Sequence, residues 1–91
     1  MKHIIIDTRE PSEFAASHVD GALNISARDF ITGTLPSQLV DVPRDQSIIV
    51  YCRTGARSNT VGHILRSHGF TVITNGINEH HVAKLLAHDN A

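Results

Sequence analysis

The chain has 91 residues, 41% of them hydrophobic, and a formal net charge of −1. That is enough for one compact core and too apolar for a disordered tail. The charge excludes the basic surface of a nucleic-acid binder, and no apolar run approaches the roughly 18–20 residues that span a bilayer. A single cysteine rules out an internal disulfide and a Cys-rich metal site. The histidines at His80, His81 and His88 lack a ligand-spacing motif, so they read as solvated surface groups, and no metal or cofactor is expected.

Ile4-Ile5-Ile6 is a continuous β-branched run, the mark of a strand covered on both faces. The opening Met1 to Asp7 is too short for a signal-peptide core and reads as that first strand. With the lone cysteine, this predicts a cytoplasmic protein, or a periplasmic one if a leader has been removed. Pro11 suits a first helical position and Glu13 a first turn, predicting a short helix over residues 11–17. Asp20-Gly21 marks a turn, and residues 22–25 read as a second short strand. Ser26 is the expected N-cap of a brief helical turn through Phe30. Residues 32–46 carry the weakest pattern, with a short helix expected between Leu35 and Val40 and a polar link after it.

Ile48 to Tyr51 reads as the central strand. Val61, Ile64 and Leu65 then recur at helical spacing, and Gly69 is the expected stop. A further strand is expected over Phe70 to Thr74, ended by Asn75-Gly76. A last helix places Val82, Leu85 and Leu86 on one side. Strands alternating with helices across short links predict an α/β domain with a mainly parallel sheet. Ligands bind outside the carboxyl ends of such strands, where both Cys52 and the Asp7-Thr8-Arg9 segment fall.

The stretch Cys52-Arg53-Thr54-Gly55-Ala56-Arg57-Ser58 therefore joins a strand end to a helix start. Every residue from Arg53 to Ser58 carries a main-chain N–H, and Gly55 lets the chain curl into a nest for an anion. The anion is either a substrate oxyanion or the thiolate of Cys52, which a helix N-terminus and nearby arginines stabilise. The bland reading of a lone cysteine is a buried, inert hydrophobe; its electropositive setting favours a reactive thiol instead. Arg53 reads as a substrate contact. For Arg57, anion binding and loop support through a carboxylate (Asp7, Glu10 or Glu13) stay equally open.

The chain as a whole resembles the rhodanese-like sulfurtransferases, in particular the short single-domain, phage-shock-protein-like members. The resemblance is carried by IIIDTREPSEFAASHVDGALNIS, an Asp-x-Arg followed by His-x-x-Gly-Ala-x-Asn-Ile, and by IIVYCRTGARS. It implies a rhodanese fold of three layers, with a parallel sheet of about four to five strands, helices on both faces, and one domain over residues 1–91. It implies that Cys52 takes the outer sulfur of a donor such as thiosulfate and passes it, through a persulfide, to cyanide or a thiol. Arg53, Thr54, Gly55, Ala56 and Arg57 would complete the loop with Cys52, while Asp7, Arg9 and His18 match signature positions expected to be structural. Four residues separate Cys52 from Arg57, one fewer than in the similar phosphatases of the cell-division-cycle type. That shorter ring suits a sulfur better than a phosphate.

Two departures accompany the resemblance. The chain begins directly on the strand before Asp-x-Arg, without the extra strand and helix of many relatives. The usual Gly-Gly-x-x-x-Trp is replaced by Asn75-Gly76-Ile77-Asn78-Glu79-His80, so the final helix and the pocket mouth are expected to differ. The expected function is thiosulfate sulfurtransferase activity on small molecules, without nucleic acid or membrane. The alternatives are a persulfide carrier serving a protein partner, a Cys-dependent phosphatase or arsenate reductase, and a non-catalytic interaction domain.

Overall fold

A computed structural model describes residues 3–89; Met1, Lys2, Asn90 and Ala91, at the two ends of the expected first strand and last helix, lie outside them. Four strands, β1 (Ile4–Asp7), β2 (Leu23–Asn24), β3 (Ile48–Tyr51) and β4 (Ile73–Ile77), form one parallel sheet in the order β2-β1-β3-β4. Three helices accompany it, α1 (Pro11–Ala16), α2 (Ala56–Ser67) and α3 (Glu79–Asp89). The strands alternate between two apolar layers. Ile6, Ile48 and Val50 face Val61 and Leu65 of α2, together with Ile25, Phe30, Leu39 and Phe70. Ile5, Ile49 and Tyr51 face the other way, onto Val19 and Val82 of α3. A sheet buried on both faces needs apolar residues on both sides of its central strands, and β1 and β3 supply them.

Local signals account for most of the boundaries. Pro11 opens α1, and the Glu13 carboxylate accepts the Glu10 N–H at 2.9 Å, satisfying a donor the helix start would leave unpaired. The helix ends at Ala16, one residue short of expectation. Gly69, at φ 96°, terminates α2 as expected: Phe70 N–H donates to Leu65 O (3.2 Å) and Gly69 N–H to Arg66 O (3.0 Å). Asn78 begins α3, its side-chain oxygen accepting the His81 N–H at 2.8 Å.

Other expectations need correction. Ser26 precedes a 3₁₀ turn (Ala27–Phe30) but its hydroxyl does not cap it; it donates instead to Arg9 O at 3.3 Å. The helix expected between Leu35 and Val40 is a single 3₁₀ turn, Ser37–Leu39, whose purpose is to bury Leu39. The fourth strand lies three residues later than Phe70 to Thr74. Thr71 N–H is taken by Arg44 O, so ladder pairing starts only at Ile48↔Ile73.

Asn75-Gly76, expected to stop β4, sits inside it. The ladder runs from Val50↔Asn75 to Tyr51↔Ile77, so Gly76 is the extra residue of a bulge. Immediately after it, Ile77 adopts φ 71° and Asn78 N–H reaches back to Gly76 O at 2.8 Å. This is a tight γ-turn in a region a β-branched residue rarely visits. The turn aims Ile77 O at the backbone N–H of Cys52, 3.2 Å away. The end of β4 is thereby shaped to hold the residue that leaves β3.

Candidate active site

Cys52 leaves the carboxyl end of β3 with 2% of its surface exposed. The chain then curls through Gly55, at φ 93°, into the first turn of α2. Only glycine adopts that angle freely, and it folds the loop back over the sulfur. Gly55 N–H points at Cys52 Sγ at 3.2 Å and Ser58 N–H at 3.4 Å, with the Ser58 hydroxyl oxygen also 3.4 Å away. Burial pushes the thiol up. The N–H groups of Ser58, Gly55 and Thr54, and the Ser58 hydroxyl where its proton turns to the sulfur, more than offset it, lowering Cys52 to about 7 from an ordinary 9.0.

The loop is pinned from two sides. On one, the Asn75 amide of β4 donates through Nδ2 to Gly55 O (3.1 Å), while its Oδ1 accepts from the Ser58 hydroxyl (2.7 Å) and Ile77 N–H (3.0 Å). On the other, Glu13 of α1 holds Arg57, with contacts of 3.0 Å from Nη1 and 3.4 Å from Nη2. Arg53 is different: its side chain is 72% exposed, and its nearest carboxylate oxygen, also of Glu13, is 3.9 Å away. Outside Sγ opens a pocket of about 280 Å³ lined by Arg9, Cys52, Arg53, Asn78, Glu79 and His80. A buried, partly ionised sulfur thus faces a mouth whose most exposed cation is only loosely paired and within reach of an anion.

The rhodanese-like domain family model matches residues 1–82 of this sequence. The chain belongs to the rhodanese-like family. It is 30% identical over 70 residues to the thiosulfate sulfurtransferase PspE of Escherichia coli, covering 77% of this chain and 64% of that one. A sulfurtransferase of Allochromatium vinosum is 28% identical over 72 residues, 79% of this chain and 63% of its own. The chain therefore spans less than two thirds of either relative's length. Among solved structures, a rhodanese with anions from E. coli superposes with a TM-score of 0.75 at 27% identity, covering 89% of this chain and 92% of that one.

Within this rhodanese-like frame, the residues singled out from the sequence divide into three groups. Cys52, Arg53, Thr54, Gly55, Ala56, Arg57 and Ser58 form one loop around Sγ. Asp7 and Arg9 form a buried support beneath it. The carboxylate of fully buried Asp7 takes Arg9 Nε at 2.9 Å and Nη2 at 2.7 Å, and Arg9 lies 5.6 Å above the Tyr51 ring. Tyr51 is pushed up to about 12, first by burial, and its hydroxyl accepts the Val19 N–H. Arg9 also lines the pocket, so it touches the site as well as the frame. His18 stands apart: it is exposed and stacks on Phe14 at 3.7 Å, with Nδ1 2.8 Å from Phe14 O.

Arg57, whose role the sequence left open, is held by a carboxylate. Glu13 had been one of three available partners; only its place in α1, beside the loop, singles it out. Asn75 falls in the segment where the resemblance implies an altered pocket mouth, but it sits where the sequence reads as a turn and is not singled out there. His80, which reads as a surface histidine at the end of that same segment, lies on the pocket rim. No group of three His, Cys, Asp or Glu side chains placed to hold a metal occurs among the described residues, and none of the described helices is long and apolar enough to cross a membrane.

Glu13 carries a testable pH dependence. Hydrogen bonds from Arg57, then the Glu10 N–H, and the charges of Arg57 and Arg53 outweigh burial and hold it at about 2, below an ordinary 4.5. A depressed carboxyl stabilises the fold fully above its unfolded value and loses that contribution as pH falls through its folded one. Because the pair is partly solvated, Glu13→Gln is expected to cost only about 1 kcal/mol at pH 7. Urea unfolding of both proteins should show that gap closing between about 4.5 and 2; a gap of undiminished size at the acid end would rule the ion pair out as its source.

Proposed function

We propose that this rhodanese-like domain is a thiosulfate sulfurtransferase, working on small sulfur compounds in the cytoplasm. The Cys52 thiolate attacks the outer sulfur of thiosulfate. An S–S bond forms to Sγ, the sulfur–sulfur bond of the donor breaks, and sulfite leaves with its electron pair. The loop then holds a persulfide whose terminal sulfur carries the negative charge. Cyanide or a thiolate attacks that sulfur, departing as thiocyanate or a new persulfide and returning Cys52 as the thiolate. The observation that carries this reading is the ring of N–H donors converging on a buried sulfur at the base of an open, cationic mouth. Such donors stabilise charge on sulfur without an added base. The name of the E. coli relative points to the same donor.

Intact mass after incubation with thiosulfate tests it. The protein should gain one sulfur, lose it to cyanide, and gain none as Cys52→Ser. If no sulfur is gained and a phosphate ester is hydrolysed instead, the phosphatase reading replaces this one.

Arg53 is the residue assigned to the donor. Its guanidinium lies at the mouth and is held by no bond as close as those of Arg57, so it is available to the sulfonate oxygens. Removing one charge-assisted contact should lower kcat/KM for thiosulfate about tenfold in Arg53→Ala, mainly through KM. An unchanged kcat/KM would free Arg53 from the donor site and favour the carrier reading, in which sulfur arrives from a protein.

A further inference from the structure

The Ser58 hydroxyl lies between two acceptors and has one proton. It is fully buried, so bulk water does not compete for that proton. Cys52 Sγ is 3.4 Å from Oγ, and Asn75 Oδ1 is 2.7 Å from it. The orientation of the Asn75 amide follows from its other neighbours. Ile77 N–H, 3.0 Å away, only donates, so the atom facing it is Oδ1. Gly55 O, 3.1 Å away on the other side, only accepts, so the atom facing it is Nδ2. Oδ1 has no proton to give. Ser58 must therefore donate to Asn75, and its oxygen turns a lone pair, not a proton, toward Cys52.

We propose that Asn75 is a positioning residue that holds the Ser58 proton away from Cys52, leaving the backbone N–H groups of the loop to carry the charge of the thiolate. In the thiol form, the S–H donates to Ser58 Oγ and the chain Cys52–Ser58–Asn75 is satisfied throughout. In the thiolate form, Ser58 stabilises the sulfur only by giving up Asn75, the closer partner. A thiolate with one hydrogen bond fewer is more basic and more nucleophilic. Once an outer sulfur is attached, Sγ is uncharged and the Ser58–Asn75 bond opposes nothing. Asn75 thus favours the loaded form over the free thiolate. The inference rests on the reading of Cys52 as a reactive thiol, and it gives the side chain of β4 a part in that reactivity.

The test is the pH dependence of iodoacetamide alkylation, followed by intact mass, in the full chain. Cys52 is the only cysteine, so the adduct reports one site. It requires no sulfur donor, so a protein that took no sulfur from thiosulfate would still give the profile. Asn75→Ala releases the hydroxyl to the sulfur and should lower the apparent pKa of Cys52 by about one unit, a tenfold change in ionisation. Ser58→Ala should leave it at or slightly below the wild-type value, and Asn75→Ala/Ser58→Ala should match Ser58→Ala. A rise of about a unit in Ser58→Ala would show that Ser58 donates to sulfur in the native loop and would overturn the proposal. So would an Asn75→Ala shift that persists without Ser58, since Asn75 would then act through Gly55. If Asn75→Ala does not melt cooperatively, the Ser58→Ala profile decides alone.

Discussion

Cys52→Ser is expected to abolish sulfur transfer, lowering kcat/KM for thiosulfate by at least about 10⁴-fold while leaving the melting temperature nearly unchanged. The two side chains differ by one atom, and Ser58 N–H and Gly55 N–H can meet an oxygen as they meet Sγ. Chemically they are far apart. The loop brings a thiol to about 7, whereas the same donors acting on an alcohol leave it un-ionised at any pH the fold survives. Sulfur also accepts sulfur: the proposed intermediate needs an S–S bond that can form and break under mild attack. For the wild type, persulfide formation should rise with pH through about 7 and level off above it, because the thiolate is the attacking form. Transfer that survives in Cys52→Ser would remove Cys52 from the reaction, whatever the loop geometry.

Gly76→Ala is expected to be the most destabilising single-carbon addition in the site, at about 3 kcal/mol, the upper end for overpacking. A Cβ at this position would stand 2.4 Å from Val82 Cγ2, 2.9 Å from Ile49 Cγ2 and 3.3 Å from the Val50 carbonyl. None of the three yields cheaply. Val82 and Ile49 are core residues of the layer under α3, and Val50 O belongs to the central strand. Relief would require β4 to move away from β3, and β4 carries Asn75 and the Ile77 carbonyl that receives the Cys52 N–H. For a domain of this size the loss corresponds to a fall of roughly 15 °C in Tm. Calorimetry checks it, and a Tm within a few degrees of wild type would mean that this corner is not packed as described. By contrast Gly55 has only ordinary contacts for a Cβ, the nearest at 3.5 Å, and its requirement is the backbone angle.

These two glycines show why parts of the site were legible in the sequence and others were not. Gly55 stands between an apolar strand and an amphipathic helix, where a loop must curl, so its role follows from local pattern. Gly76 follows Asn75, and Asn-Gly ordinarily marks a turn. Its actual place, as the extra residue of a bulge pressed beneath Val82, depends on a helix that begins only afterwards. The strand was misplaced for the same reason. Thr71-Val72-Ile73-Thr74 has β propensity throughout, but the ladder starts where β3 offers partners, at Ile48↔Ile73.

The sequence by itself determined the class of fold, the two-faced burial of β1, the place of β3 inside the sheet, and the position of Cys52 at a strand's carboxyl end beside a helix start. These are short-range consequences of composition and periodicity, since apolar runs and glycine stops act on neighbours in the chain. The tertiary structure decided which partner each polar group takes. Glu13 reaches Arg57 across 44 residues, Asn75 reaches Ser58 across 17, and Tyr51 serves Val19 across 32. Hydrogen bonds are directional and extend about 3 Å, so their partners are set by how strands and helices pack, which no local pattern contains. The sulfur is placed by the sequence around it; its chemistry is tuned by residues that only folding brings near.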